Sequence, residues 1–252
     1  THEIGQYAVY PNLEEIKKYT GALDPLNFKA IRNDLEKKGL IDLANQFTLS
    51  SGKFSASLYK EEIERALKTK GLSGFQLLDL HDFPGQGTAL VGILDAFWDS
   101  KGLLLPNEHR AYCSSVVPLI RFSKAVYVNS EIFSAGAELA NFGGGSMKNV
   151  VSLWQVKDRK GAILFTGEFK KDEVPLGSTN VIGEIAFHLA DLKYAEELTL
   201  ELWIKGTEFK NHWKIWVYPA QIPKEEKDIV VTASLAEALQ NLKNGAKVLL
   251  NP

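Results

Sequence analysis

Over the first third of the chain, apolar residues recur at helical spacing. Leu13, Ile16 and Tyr19 form one set within residues 12–21, and Phe28, Ile31 and Leu35 form another within 25–38, with Pro25 and Gly39 as punctuation. Residues 40–49 continue that spacing, and 58–67 read as an amphipathic helix, acidic first and basic later. Gly71 and Gly74 stop it ahead of an apolar stretch at 75–80 that predicts a strand. Thr88 stands where it can cap a helix over 89–99 with Val91, Leu94 and Trp98 on its apolar face. This order predicts an α/β region like the closing units of a barrel.

Near Phe122 the pattern shifts to strict alternation. Segments at 136–141, 150–157, 162–169, 181–189, 197–205 and 210–218 are separated by Gly143-Gly144-Gly145, residues 158–161, 175–177 and Gly206. Such spacing without paired cysteines predicts an immunoglobulin-like β-sandwich. A charged stretch at 219–227 with Pro219 and Pro223 reads as a linker, and residues 228–232, 235–243 and 247–250 predict the start of a further α/β segment. The expected fold is therefore α/β plus all-β. The C-terminal part of a (β/α)8 TIM barrel occupies 1–122, a sandwich 123–219, and linker plus third segment 220–252. Both ends read as cut from a longer chain.

Composition narrows the function. The 252 residues are 45% apolar and 24% charged, with a formal net charge of -2 and no cluster of Lys or Arg. A nucleic-acid or anionic-membrane surface needs such a cluster, so small or neutral ligands are favoured. A single cysteine, Cys113, excludes an internal disulfide framework and a cysteine-based zinc cluster. No apolar run approaches the roughly 18–20 residues of a membrane span. Residues 1–20 lack the basic, apolar, small-residue order of a signal peptide, so any address would lie upstream of Thr1.

Candidate chemistry gathers at two places. At 74–88 the apolar stretch runs into Asp79, His81 and Asp82 and then a glycine-bearing turn, as at the carboxyl end of a strand in parallel α/β folds. The chain itself opens on His2-Glu3-Ile4-Gly5-Gln6-Tyr7. Three other readings fail. Gly85-Gln86-Gly87 is not a dinucleotide fingerprint, because residue 90 is Leu, and no Lys-Ser/Thr follows for a phosphate loop. His2-Glu3 lacks a second histidine four residues on, since position 6 is Gln. His109, after Glu108, reads as solvated. Trp98 and the tryptophans at 154, 203, 213 and 216 read as core residues.

The two motifs, 2–7 and 74–87, resemble the last barrel strands of bacterial family 2 glycoside hydrolases, the β-galactosidase and β-glucuronidase relatives, and residues 126–218 resemble the sandwich that follows the barrel there. The resemblance implies a retaining β-glycosidase acting on terminal β-linked sugars, with Glu3 at the position of the nucleophile. His2 and Gln6 would be donors beside it, and Asp79, His81 and Asp82 would shape the sugar subsite. It implies a carbohydrate substrate, no cofactor and no metal, and a periplasmic or extracellular setting. Retaining hydrolysis needs two carboxyl groups about 5–5.5 Å apart. The family's general acid/base sits on a strand that this chain does not include, so the N-terminal half of the barrel is missing and the chain alone is expected to be inactive. The competing reading is a non-catalytic sugar-binding or scaffolding module, with a sandwich aromatic such as Trp213 as the contact. Oligomeric state stays open.

Overall fold

The computed structural model describes residues 1–221 and 228–251; of the expected linker, 222–227 lie outside the described residues. A 3-10 helix at Leu13–Lys18 comes first. Three α-helices follow, α1 (Leu26–Lys37), α2 (Ala44–Leu67) and the short α3 (Pro106–Arg110). The two helical segments expected at 40–49 and 58–67 are joined in α2, whose Gly52 lies against the Leu103 side chain.

The all-β part is a sandwich. Its strands are β1 (Val116–Arg121), β2 (Val126–Val128), β3 (Ile132–Asn141), β4 (Met147–Lys157), β5 (Ile163–Val174), β6 (Gly177–His188), β7 (Glu196–Ile204) and β8 (Lys210–Tyr218). One sheet has the order β1-β3-β6 and the other β2-β8-β7-β4-β5. Strand β7 shows why: Leu198, Leu200, Leu202 and Ile204 are buried while Thr199, Glu201 and Trp203 face away, the period-2 pattern of a sheet with one wet face. Phe133 and Phe187 stack in the core at 4.8 Å, and Phe165 stacks on Phe187 at 4.4 Å. Beyond the sandwich, β9 (Ile229–Thr232) and β10 (Lys247–Leu250) pair in parallel across α4 (Leu235–Lys243), whose Ser234 accepts from the Glu237 amide.

The expected barrel is not there. The fold is mostly β-strand with few helices, and among the described residues before Val116 the only β pairing is three isolated bridges, Ile4 with Leu77, His81 with Leu94 and Leu94 with Ser100. A barrel needs a repeated parallel strand-helix unit. The stretch 75–80 exchanges backbone hydrogen bonds with residues 1–4 near that bridge, through Ile4 N to Gln76 O (3.2 Å) and Leu78 N to Ile4 O (2.9 Å), and with Ile93 and Leu94 at its Leu80 end. Nor does 89–99 form a helix. Its amides are spent elsewhere: Asp95 Oδ1 accepts from Phe97 N and Asp99 N, and Ile93 and Leu94 donate to Leu80 O. Trp98, read as a core residue of that helix, is instead 61% exposed with a φ of 69°.

One buried charge ties α2 to the sandwich. The Glu64 side chain is 1% exposed. Its Oε1 accepts from Lys60 and from Asn211 Nδ2 (2.9 Å), and its Oε2 from Lys68 (3.0 Å) and Trp213 Nε1 (2.8 Å). Burial opposes ionisation, but the two ammonium groups and the indole outweigh it and hold the carboxyl below its usual range. Glu64→Ala strands two ammonium groups and two neutral donors at the interface, and is expected to cost about 3–5 kcal/mol in urea unfolding; a loss below about 1 kcal/mol, the level of a surface pair, would show that the cluster does not hold the halves together.

Candidate functional site

Tyr59, buried in α2, organises the surface cleft nearest the predicted residues. Its hydroxyl donates to Val91 O (2.6 Å) or Asp79 O (3.0 Å), so one phenol fixes two loop segments. Its ring lies where a side chain at residue 5 would go: a Cβ on Gly5 would stand 2.1 Å from Tyr59 Cε1, and Gly5 has a φ of +87°. The Gly5 amide donates to Glu62 Oε2 (2.8 Å), Ser55 donates to Tyr7 O (2.9 Å), and Val9 N donates to Leu90 O (2.8 Å). Residues 5–9 are thereby laid between α2 and the 78–91 loop. At Gly92 a Cβ would meet the His81 backbone at 2.2 Å, so only glycine permits that approach.

The cleft so formed has a volume of about 460 Å³, within the roughly 300–1,000 Å³ of small-molecule sites. Gln6, Asp79, Gln86 and Thr88 supply its polar lining, and Phe83 and Val91 are among its apolar walls. Asp79 Oδ1 accepts from the Leu80 amide (2.6 Å), which fixes the carboxylate at the rim.

Of the six residues singled out in the sequence, the cleft gathers Gln6 and Asp79. Glu3 is exposed, in the left-handed region at φ 61°, with His2 Nδ1 3.8 Å from its carboxylate. Gln6 Nε2 donates to the Glu3 backbone carbonyl (3.3 Å), not to its carboxylate. The His81 ring packs against Trp98, centroids 4.4 Å apart, with Nδ1 2.6 Å from Asp82 O. Asp82 points inward. It is 2% exposed and accepts from Lys101 Nζ (2.7 Å) and Gly92 N (2.9 Å). Burial pushes its carboxyl up, against the pull of Lys101.

Behind this loop lies a buried charge group that the sequence reading missed. Asp95 is gripped by Lys18, which also meets Asp99 (2.7 Å), and Lys101 holds Asp82. Glu15 is buried with Oε2 unpartnered among the described residues. Burial, then the charges of Asp95 and Asp82, push its pKa up from 4.5 to about 7. Its position in the helical spacing gave a signal, since it falls beside Leu13 and Ile16, but an acid there reads as solvated until the fold is known. His109 also differs from expectation: it is half-buried, its Nε2 has no partner among the described residues, and burial lowers its pKa. Among the described residues no three His, Cys, Asp or Glu side chains are arranged to hold a metal ion, and no helix is long and apolar enough to cross a membrane.

Residues 131–219 match a family described as "Domain of unknown function (DUF8488)". No curated protein matches the chain in sequence. Among solved structures, the chain is similar to the CARDB domain of a Pyrococcus furiosus protein in complex with di-metal ions, at 7% identity and TM-score 0.32, covering 41% of this chain and 93% of that one. It is also similar to the exo-chitosanase of Amycolatopsis orientalis in complex with PNP-β-D-glucosamine, at 11% identity and TM-score 0.40, over 72% of this chain and 20% of that one. A third is the β-glucuronidase of Parabacteroides merdae, at 14% identity and TM-score 0.27, over 41% of this chain and 13% of that one. These are distant likenesses of low identity, and the two glycosidases are matched over a fifth of their length or less.

The Glu15 carboxyl gives a pH test. Its folded pKa lies above the unfolded value, so its favourable contribution is complete below about pH 4.5 and is lost as pH rises through about 7. Glu15→Gln, which keeps the neutral form's shape, should gain on the parent as pH rises across that window, by at most roughly 3 kcal/mol at pH 8. Urea unfolding of both proteins at pH 5 and pH 8 reads this out; an unchanged difference would mean that Glu15 ionises normally.

Proposed function

We propose that the chain is the saccharide-handling part of a β-glycosidase, with the cleft between residues 6–8 and 78–91 as a sugar subsite. The observation that carries this reading is the composition of that cleft: an aromatic ring, Phe83, beside the convergent polar groups of Gln6, Asp79, Gln86 and Thr88. A pyranose offers a C–H face to an aromatic ring and hydroxyls that both donate and accept, which an amide, a carboxylate and a hydroxyl can match. Glu3, three residues before Gln6, is the carboxylate that the motif resemblance puts forward as nucleophile. The resemblance also supports a periplasmic or extracellular setting. Retaining hydrolysis needs a second carboxyl as general acid, typically worth about two to four orders of magnitude in rate, and the resemblance supplies no match for it in this chain. The chain alone therefore binds sugar without turning it over.

The expected behaviour is millimolar binding of methyl β-D-galactopyranoside or methyl β-D-glucuronide in ligand-observed NMR. Asp79→Ala and Gln6→Ala should each weaken it roughly fivefold or more, the worth of about one hydrogen bond. Glu3→Gln should leave affinity unchanged, and p-nitrophenyl β-glycosides should not be cleaved. Affinity that survives the double substitution at Gln6 and Asp79 would sink the cleft as a subsite; measurable cleavage would sink the inactivity of the chain alone.

The competing reading, a non-catalytic module whose sandwich binds sugar, cannot rest on Trp213. That indole is 8% exposed and donates to Glu64.

A further inference from the structure

The sandwich carries a second cavity, of about 400 Å³, between α3 and the outward face of the five-stranded sheet. It shares no lining residue with the cleft at Gln6 and Asp79. Sheet register builds it. Gln155 of β4, Glu201 of β7 and His212 of β8 stand directly opposite one another on neighbouring strands, and the adjacent rung on that face pairs Trp203 with Lys210. Alternation puts all five on one face, with the core leucines Leu198, Leu200 and Leu202 on the other. Asn107 of α3 closes the opposite wall.

Two features single this cavity out. First, its carboxylate is pre-set: Glu201 Oε2 accepts from Gln155 Nε2 and meets Lys157 Nζ at 2.8 Å, so its orientation is fixed while Oε1 has no protein partner among the described residues. Second, the lining charges cancel, with Glu108 and Glu201 against Lys157 and Lys210. A balanced wall offers no net attraction to an anion or a cation. What remains is a half-buried indole ring, the side-chain amides of Asn107 and Gln155, a fixed carboxylate and an imidazole. Planar polar groups around an aromatic face suit a ring that is apolar on its C–H face and edged with hydroxyls.

We propose that this cavity binds a neutral pyranose, stacked on Trp203 and hydrogen-bonded by Asn107, Gln155, Glu201 and His212. The site belongs to the sandwich and does not depend on the cleft reading; a chain that binds sugar at both would hold a glycan at two points, which raises effective concentration at the second once the first is filled.

The test is a titration of the full chain with methyl β-D-glucopyranoside and methyl β-D-galactopyranoside, to about 50 mM so that a millimolar site is filled, followed in 1H–15N spectra. Shifts are expected at the Trp203 indole N–H and at the amides of Gln155, Glu201 and His212. Trp203→Ala and Gln155→Ala should each weaken binding roughly fivefold or more, while Asp79→Ala leaves these shifts unchanged. Gln155→Ala guards against the larger substitution failing to fold. A response confined to residues 6 and 78–91, no response at all, or a response at the sandwich that persists in both variants overturns the site. Response at the sandwich with none at the cleft instead removes the cleft reading and leaves this one standing.

Discussion

A carboxylate with almost no access to water, Glu64, governs how the two parts of this chain sit together. Two ammonium groups come from its own helix, and two neutral donors, the Asn211 amide and the Trp213 indole, come from β8. The arrangement is directional, because a buried charge tolerates little misplacement of its partners. Arg121 adds to it from β1: its guanidinium pairs with Glu138 and reaches the Lys68 carbonyl at the end of α2. The last turns of α2 are thereby set against β1 and β8, and Ile63 and Leu67 pack with Val117 and Leu119.

From that anchored helix, order passes to the cleft through Tyr59. One turn before Glu64, Tyr59 reaches across the helix surface to the loop carbonyls of Asp79 and Val91. The loop between them needs a second hold, and Lys101 with Asp82 and Lys18 with Asp95 supply it from the far side. Asp82 is thus a structural acid: it lies beneath the surface that Asp79 presents. Two carboxylates three residues apart in one motif have opposite environments, and burial with a matched lysine decides which is which.

The sandwich strands were legible because they alternate. One wet face and one dry face leave a period of two, and each of the six expected strand segments overlaps an observed strand, those at 136–141 and 162–169 covering only part of β3 and β5. Strand β1 was not read, for a physical reason: Val116 and Ile120 face the sandwich core while Val117 and Leu119 face α2, so both sides are apolar and no alternation shows. The N-terminal region was misread because local pattern cannot show where amides are spent. Leu78, Leu80, Val91 and Leu94 have the spacing of a strand and a helix, yet Gly92 and the Asp95 side chain favour a looped path. Gln6 and Asp79 were found from a motif; Phe83, Gln86 and Thr88 join them only once the loop closes, and nothing in their order in the chain marks them as neighbours.

The double-sided burial of β1 also separates evolutionary bookkeeping from mechanical unity. The stretch recognised as a family begins at residue 131, yet the smaller sheet has three strands and the first, β1, lies before that point. Excision at the family boundary would leave β3 and β6 as a bare pair, with the β3 backbone unpaired along six registered positions and Leu139 and Ala140 uncovered on that side. The piece that folds as a unit must carry β1, and β1 in turn brings an apolar surface that α2 covers together with Ile4 and Tyr112. A sandwich of this kind is not a bead that can be moved from chain to chain; it is wedded to the helix in front of it.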